Sequence, residues 1–191
     1  MRDRASLMTQ VIRSKRRLKA SDALKALRGL EAKDRLPLVI ASDNGAQFCA
    51  NDIAEYCRQK KVIHLKSLPR TPQHNGACEI AVREVKDGLT QGFSVDETCL
   101  ILNERRKRRR LGYKTATQFD REHFVPYTRE ARAVLYEAVR SAIDRSLLGT
   151  ERALEKRKIE RAVIFETLEK FKLIEITRGC QKTSTKPEDN A

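Results

Sequence analysis

Residues 36–41, Leu36-Pro37-Leu38-Val39-Ile40-Ala41, form a short unbroken apolar block between charged neighbours. Such a block predicts a short buried strand that ends at Ser42-Asp43. Asn44-Gly45 then breaks it, because glycine accepts backbone angles that other residues avoid. Upstream, residues 7–12 have the composition of a strand, and Ala23, Leu24, Leu27 and Leu30 recur at helical spacing behind Ser21, a plausible N-cap. That pattern predicts a helix to about Lys33. Downstream, residues 51–61 read as a helix with Ile53, Ala54 and Cys57 on one side, and 62–65 as a short strand. Residues 67–76 read as a loop from their Pro, Asn and Gly content.

From Cys78 to Leu89 the helical period separates two faces. Glu79, Arg83, Lys86 and Thr90 share one, while Cys78, Val82, Val85 and Leu89 share another that is expected to enter the core. Glu79 and Arg83 also have the i,i+4 spacing of an ordinary surface ion pair. A further helix is expected over 94–110. Beyond Pro126, residues 129–148 and 151–171 predict two helices broken at Gly149, with Val134, Leu135, Ala138 and Ala142 on one apolar face and Ile159, Ala162 and Val163 on the other. An antiparallel hairpin is the economical arrangement. Residues 173–177 suit a last short strand, and 179–191 have the composition of a disordered tail.

The 191 residues carry a net charge of +14. By segment the balance is +7 over 1–35, −1 over 36–100, +5 over 101–125 and +3 over 126–191. Basicity therefore flanks the strand that ends at Asp43, an arrangement that suits a polyanion such as DNA; an ordinary solvated basic surface has the same composition. Five cysteines without a C-x-x-C pair predict reduced, buried thiols and a cytoplasmic location. No apolar run approaches the length of a membrane span, and the Arg-rich start lacks a hydrophobic signal segment.

Ser42-Asp43-Asn44-Gly45-Ala46-Gln47-Phe48, then Ile63-His64, Ser67, Pro69, Thr71-Pro72-Gln73-His74-Asn75-Gly76 and Glu79 resemble the catalytic core of retroviral-type integrases and bacterial insertion-sequence transposases, the DDE superfamily. The family carries its second catalytic Asp in an S-D-N-G-x-x-F run and its Glu after N-G-x-x, typically with 35 residues between, and here 35 residues separate Asp43 from Glu79. The resemblance is specific over about 36–90, weaker over 91–125 and nearly absent beyond. It includes Lys86, at a basic position that contacts DNA in the family. It also includes Leu111-Gly112-Tyr113 and Thr115-Ala116, where the family usually has Thr-Pro.

The resemblance implies a ribonuclease H-like α/β core over 1–125, to which the apolar pattern adds a helical hairpin over 126–178 and the composition a tail over 179–191. It implies Asp43 and Glu79 as catalytic acids and as ligands of Mg²⁺ or Mn²⁺. It further implies DNA as partner and Lys86 as a contact; charge adds Arg83, Arg105, Arg106, Arg108 and Arg109 as candidates, and Gln73 and Asn75 either contact DNA or shape their loop. The basic run 105–110 is equally the solvated end of a helix, its cations favoured by the dipole. Two ions held about 4 Å apart would activate the attacking oxygen and stabilise the leaving one.

The family's first Asp lies mid-strand some 50–60 residues before the second, whereas 42 residues precede Asp43 and Asp3 is the sole acid near the start. The expectation is a core missing its first strand or strands and its first metal ligand, inactive alone. A misplaced start or a complementing transposase subunit would account for the remainder, and a homo-oligomer is a further expected partner. A DNA-binding remnant without catalysis and an interaction protein built on the hairpin are the other two classes. His64 and His74 lack metal-ligand partners at regular spacing and are expected to be structural or to face DNA.

Overall fold

The computed structural model describes residues 1–13, 16–71 and 76–175. Its α/β centre is small: strands β1 (Val39–Ser42) and β2 (Ile63–Lys66) run parallel, with Val39 opposite Ile63 and Ser42 opposite Lys66. Parallel neighbours need a crossover, supplied by α2 (Ala46–Cys49) and α3 (Asn51–Gln59). Side-chain alternation gives the sheet two different faces. Ile40 packs with Ala23 and Leu27 of α1 (Ala20–Glu31), Ile53, Tyr56 and Cys57 of α3, and Leu36 and Val62.

Ile63 and Leu65 point the other way, into a cluster with Leu135, Val139 and Ile143 of α7 (Arg129–Ser146) and Val163, Ile164 and Leu168 of α8 (Ala153–Lys170). The helical hairpin therefore closes the second face of the sheet, and a boundary at 125 separates two halves of one buried cluster. Thr128 caps α7 by accepting from the Ala131 N–H, and Gly149, at φ +77°, makes the turn into α8.

In chain order, β2 and the hairpin are joined by a helical group: α4 (Gly76–Thr90), α5 (Val95–Leu100), a π-helical turn (Ile101–Arg105), a 3₁₀ turn (Arg109–Leu111) and α6 (Ala116–His123). The single helix expected over 94–110 is thus broken at Arg106, whose backbone turns extended. Ser94 and Glu97 form a reciprocal cap for α5, and Thr115 and Gln118 form one for α6. Ala116, where the resemblance expects Pro, is the first residue of α6. A helix tolerates Pro there because that N–H has no intrahelical acceptor.

Several expectations are corrected. Residues 7–12 form no strand: Thr9 makes one antiparallel bridge to Arg2, and Leu7 sits at φ +61°. The cap of α1 is Lys19, not Ser21, and the Asp22 carboxylate accepts its N–H at 2.9 Å. Tyr56, not Ala54, completes the buried side of α3. The buried line of α4 runs through Ala81 instead of Val82 and Leu89, which are 54% and 45% exposed. In the hairpin Val134 and Ala162 are exposed, and Val139 and Ile164 take the inner positions. Residues 173–175 are not a strand; 176 and 177, like the tail and Cys180, lie outside the described residues. Cys49 is exposed and only Cys57 is buried among the described thiols, all free.

Candidate active site

Asp43 leaves the carboxyl end of β1, the edge at which open α/β sheets present ligands. The local hydrogen bonds explain why Ser-Asp-Asn-Gly makes this exit. Asp43 Oδ1 accepts the Gly45 N–H at 3.0 Å, closing an Asx turn. Asn44 Nδ2 donates to the Ser67 carbonyl at 2.9 Å, and the Ser67 N–H donates to the Ser42 carbonyl at 2.9 Å, so both strand exits are tied together. Gly45 adopts φ −57°, which any residue can take. A Cβ there would lie 2.6 Å from the terminal amide of Gln47, a flexible group that can swing aside.

Beneath Asp43, His64 Nε2 lies 2.8 Å from Ser42 Oγ, while that hydroxyl donates to the Asp43 carbonyl at 2.9 Å. The hydroxyl proton is thereby engaged, so the imidazole donates through Nε2–H to the serine oxygen. Burial, reinforced by Lys66, lowers the His64 pKa to about 4 and keeps the ring neutral. His64 is therefore a structural brace beneath the exit. Because the folded pKa lies below the unfolded value, its stabilisation is complete above about pH 6.5 and is lost as pH falls towards 4. The full effect is on the order of 3 kcal/mol. Urea midpoints of the wild type and His64→Gln should thus converge between pH 7 and pH 4.5; a constant gap would show that the ring does not titrate in this window.

Glu79 stands in the first turn of α4, where the helix dipole favours a carboxylate, and its side chain is exposed, like that of Asp43. Among the described residues no group of three His, Cys, Asp or Glu side chains converges as a metal site. Asp3 is engaged elsewhere: its Oδ1 accepts from the Ala5 and Ser6 N–H groups and the Ser6 hydroxyl. Gln73, His74 and Asn75 lie outside the described residues.

The basic candidates divide. Arg83, Lys86, Arg105 and Arg109 are exposed and open to a polyanion. Arg108 is not: its side chain is 11% exposed, and both terminal nitrogens grip Glu84, at 2.9 and 3.3 Å. Arg2 reaches the same carboxylate at 2.9 Å, and Arg106, half-exposed, at 3.2 Å. Sequence reasoning missed Glu84 because a lone acid within a helix carries no pattern. It also missed Arg161 of α8, which reaches the end of β2 from a segment without motif.

No protein-family model matches the chain. It is 42% identical over 76 residues to a retrovirus-related Pol polyprotein from transposon TNT 1-94 of Nicotiana tabacum, a match covering 34% of this chain and 6% of that protein. It is 38% identical over 53 residues to an intracisternal A-particle Pol-related polyprotein, from mouse intracisternal A-particle MIA14, covering 28% of this chain and 6% of that protein. The chain thus spans only a small part of these relatives. Superposition on the crystal structure of the catalytic core domain of BIV integrase gives a TM-score of 0.46 at 27% identity, covering 59% of this chain and 76% of that domain. That superposition is too loose to transfer a topology. The sequence kinship with Pol polyproteins bears out the resemblance to integrase and transposase cores of the DDE type.

Proposed function

We propose that this chain carries part of a ribonuclease H-like polynucleotidyl transferase core and binds DNA, with Asp43 and Glu79 as its acids. The observation that carries the reading is the placement of these two. One leaves the carboxyl end of a parallel strand and the other opens a helix, both exposed, in a motif with 35 residues between them. Exposed Arg83 and Lys86 follow Glu79 on the same helix, and Arg105 and Arg109 lie further along the chain. These four support contact with phosphates.

Mg²⁺ prefers hard carboxylate oxygens, and when bound in pairs it activates an attacking oxygen and stabilises the leaving one. Asp43 has one oxygen free of its turn and Glu79 has two, donors of the kind this ion takes. A second ion at close range needs a shared carboxylate to offset the repulsion between dications. These two side chains do not furnish it. The chain is proposed to be incomplete by itself and to need an acid from a complementing polypeptide.

The test is one incubation of labelled duplex with the purified chain and Mg²⁺ or Mn²⁺ at 50 and 200 mM salt, resolving bound from cut DNA. Binding should weaken steeply with salt, because each neutralised phosphate releases counterions. Cutting should not exceed that of the Asp43→Asn/Glu79→Gln variant. No binding at low salt would remove the DNA reading in favour of an interaction protein. Cutting that disappears in the double variant would show that the chain completes its own site.

A further inference from the structure

The hairpin carries a basic surface that belongs to no motif. Arg152 at the N-cap of α8 and Lys156, Arg157 and Lys158 along it are exposed, and none of them forms an ion pair among the described residues. Arg157 and Lys158 stand four and three residues before Arg161, so the three share one side of the helix. Arg161 lies at the inner end of this line. Its Nη1 approaches the Lys66 carbonyl at 3.5 Å, and its guanidinium carbon lies 5.0 Å from the centre of the Phe165 ring. Lys66 is the last residue of β2 and pairs with Ser42, so this guanidinium stands at the strand ends from which Asp43 emerges.

The electrostatics of this corner are unbalanced. Burial holds the Arg161 pKa below its ordinary value, and the like charge of Arg4 lowers it further. No carboxylate contributes to that shift, and neither Arg4, Lys66 nor Arg161 has an acidic partner among the described residues. Three other poorly exposed guanidiniums have a carboxylate, Arg35 with Asp120 and Arg2 and Arg108 with Glu84, whereas Arg132 is held by the Leu36 and Pro37 carbonyls. Here Arg161 meets the like charge of Arg4 without a counter-ion, at the end of β2 beside the strand that carries the candidate acid. A guanidinium fixed against a ring, with donors left over, matches the oxygens of a phosphodiester.

We propose that Arg161 and Arg4, with Arg157 and Lys158 leading away along α8, form a phosphate track that guides a DNA backbone to the carboxyl edge of the sheet. The hairpin then has two roles, closing the core with one side and binding the polyanion with another. This rests on the DNA-binding reading above. It goes beyond that reading by assigning contacts to a segment where the resemblance ends.

The test is a salt titration of labelled duplex binding for four proteins, with thermal melts to verify folding. These are the wild type, Arg157→Gln/Lys158→Gln, Arg157→Gln/Lys158→Gln/Arg161→Gln, and a charge-matched control on the α1 side, Lys25→Gln/Arg28→Gln/Lys33→Gln. The slope of log affinity against log salt should fall by about 2 in the double variant and about 3 in the triple one, close to one per phosphate contact. The triple variant should bind at least tenfold more weakly than the wild type at low salt, and the α1 control should keep its slope. The double variant changes only exposed side chains, so it reports even if the triple variant melts early. An equal loss in the α1 control would reduce the effect to net charge and overturn the track. Unchanged slopes in both α8 variants, with salt-sensitive wild-type binding, would overturn the track and leave the DNA reading intact. A wild type that does not bind DNA would overturn both.

Discussion

A chain ending at residue 125 should fail to unfold cooperatively, although those residues hold both strands and the whole 36–90 motif. Without α7 and α8 the sheet face bearing Ile63 and Leu65, 5% and 4% exposed in the intact protein, is open to water. The lost partners are six buried side chains: Leu135, Val139, Ile143, Val163, Ile164 and Leu168. Each contributes roughly 1.5–3 kcal/mol by burial. Together they supply on the order of 10 kcal/mol, comparable with the whole stability of a domain.

Two polar ties are lost as well. Arg132 donates to the Leu36 and Pro37 carbonyls just before β1, and Lys61 pairs with Glu137 at 2.6 Å. A two-stranded sheet has little stability of its own in water. Circular dichroism during urea titration would show the difference, with a sigmoidal transition for 1–175 and a shallow drift for 1–125. Leu135→Ala in the full chain should cost about 2–5 kcal/mol, as a milder version of the same change. A sharp transition in the short chain would mean that the hairpin is an appended unit.

The sequence was most readable where one signal dominated. The unbroken apolar block before Ser42 and the alternating Ile63-His64-Leu65-Lys66 gave the strands, and Gly149 marked the hairpin turn. The inner side of α4 was not readable. Hydropathy favours Val82 and Leu89, but close approach to α5 favours the small Ala81 and Gly88. A Cβ on Gly88 would lie 2.4 Å from the Thr98 side chain, so α5 sits where only hydrogen fits. Burial there is decided by contact distance between helices, which a pattern of apolar residues does not encode. The motif gave Asp43 and Glu79 their positions along the chain but not the support beneath them. The neutral His64 under Ser42 follows from the register of β1 on β2, and the depth of Arg108 from a fold-back that the run of cations conceals.

The same fold-back leads to the second large effect. Glu84 is a single carboxylate facing three guanidiniums, with Arg2 at 2%, Glu84 at 9% and Arg108 at 11% side-chain exposure, while Arg106 remains half in solvent. It fastens the N-terminal segment and the basic loop to α4. Asn103 secures the same segment from the π-helical turn, accepting the Thr9 N–H and donating to its carbonyl. Burial alone would raise the Glu84 pKa, but the Arg108 hydrogen bonds and the charges of Arg2, Arg108 and Arg106 outweigh it and hold the acid below its ordinary value.

Glu84→Gln leaves two guanidiniums out of water with no counter-charge, a defect that costs about 3–5 kcal/mol. Its sign is informative on a surface proposed to attract DNA. Removing a negative charge would by itself strengthen attraction to a polyanion, but loosening Arg106 and Arg108 should disperse the 105–110 cluster. Two measurements therefore belong together: the urea midpoint and the amide exchange of residues 1–10. Both should show destabilisation at pH 7. Since a lowered carboxyl pKa gives stability that is present above its unfolded value and disappears as pH falls through the folded one, the wild type should approach the variant in acid. Glu84→Leu/Arg108→Met tests the cause, because replacing charge by apolar volume at both places should recover part of the loss. A loss below about 1 kcal/mol in Glu84→Gln, within the range of an exposed ion pair, would mean that water reaches these guanidiniums and that the cluster does not hold the loop.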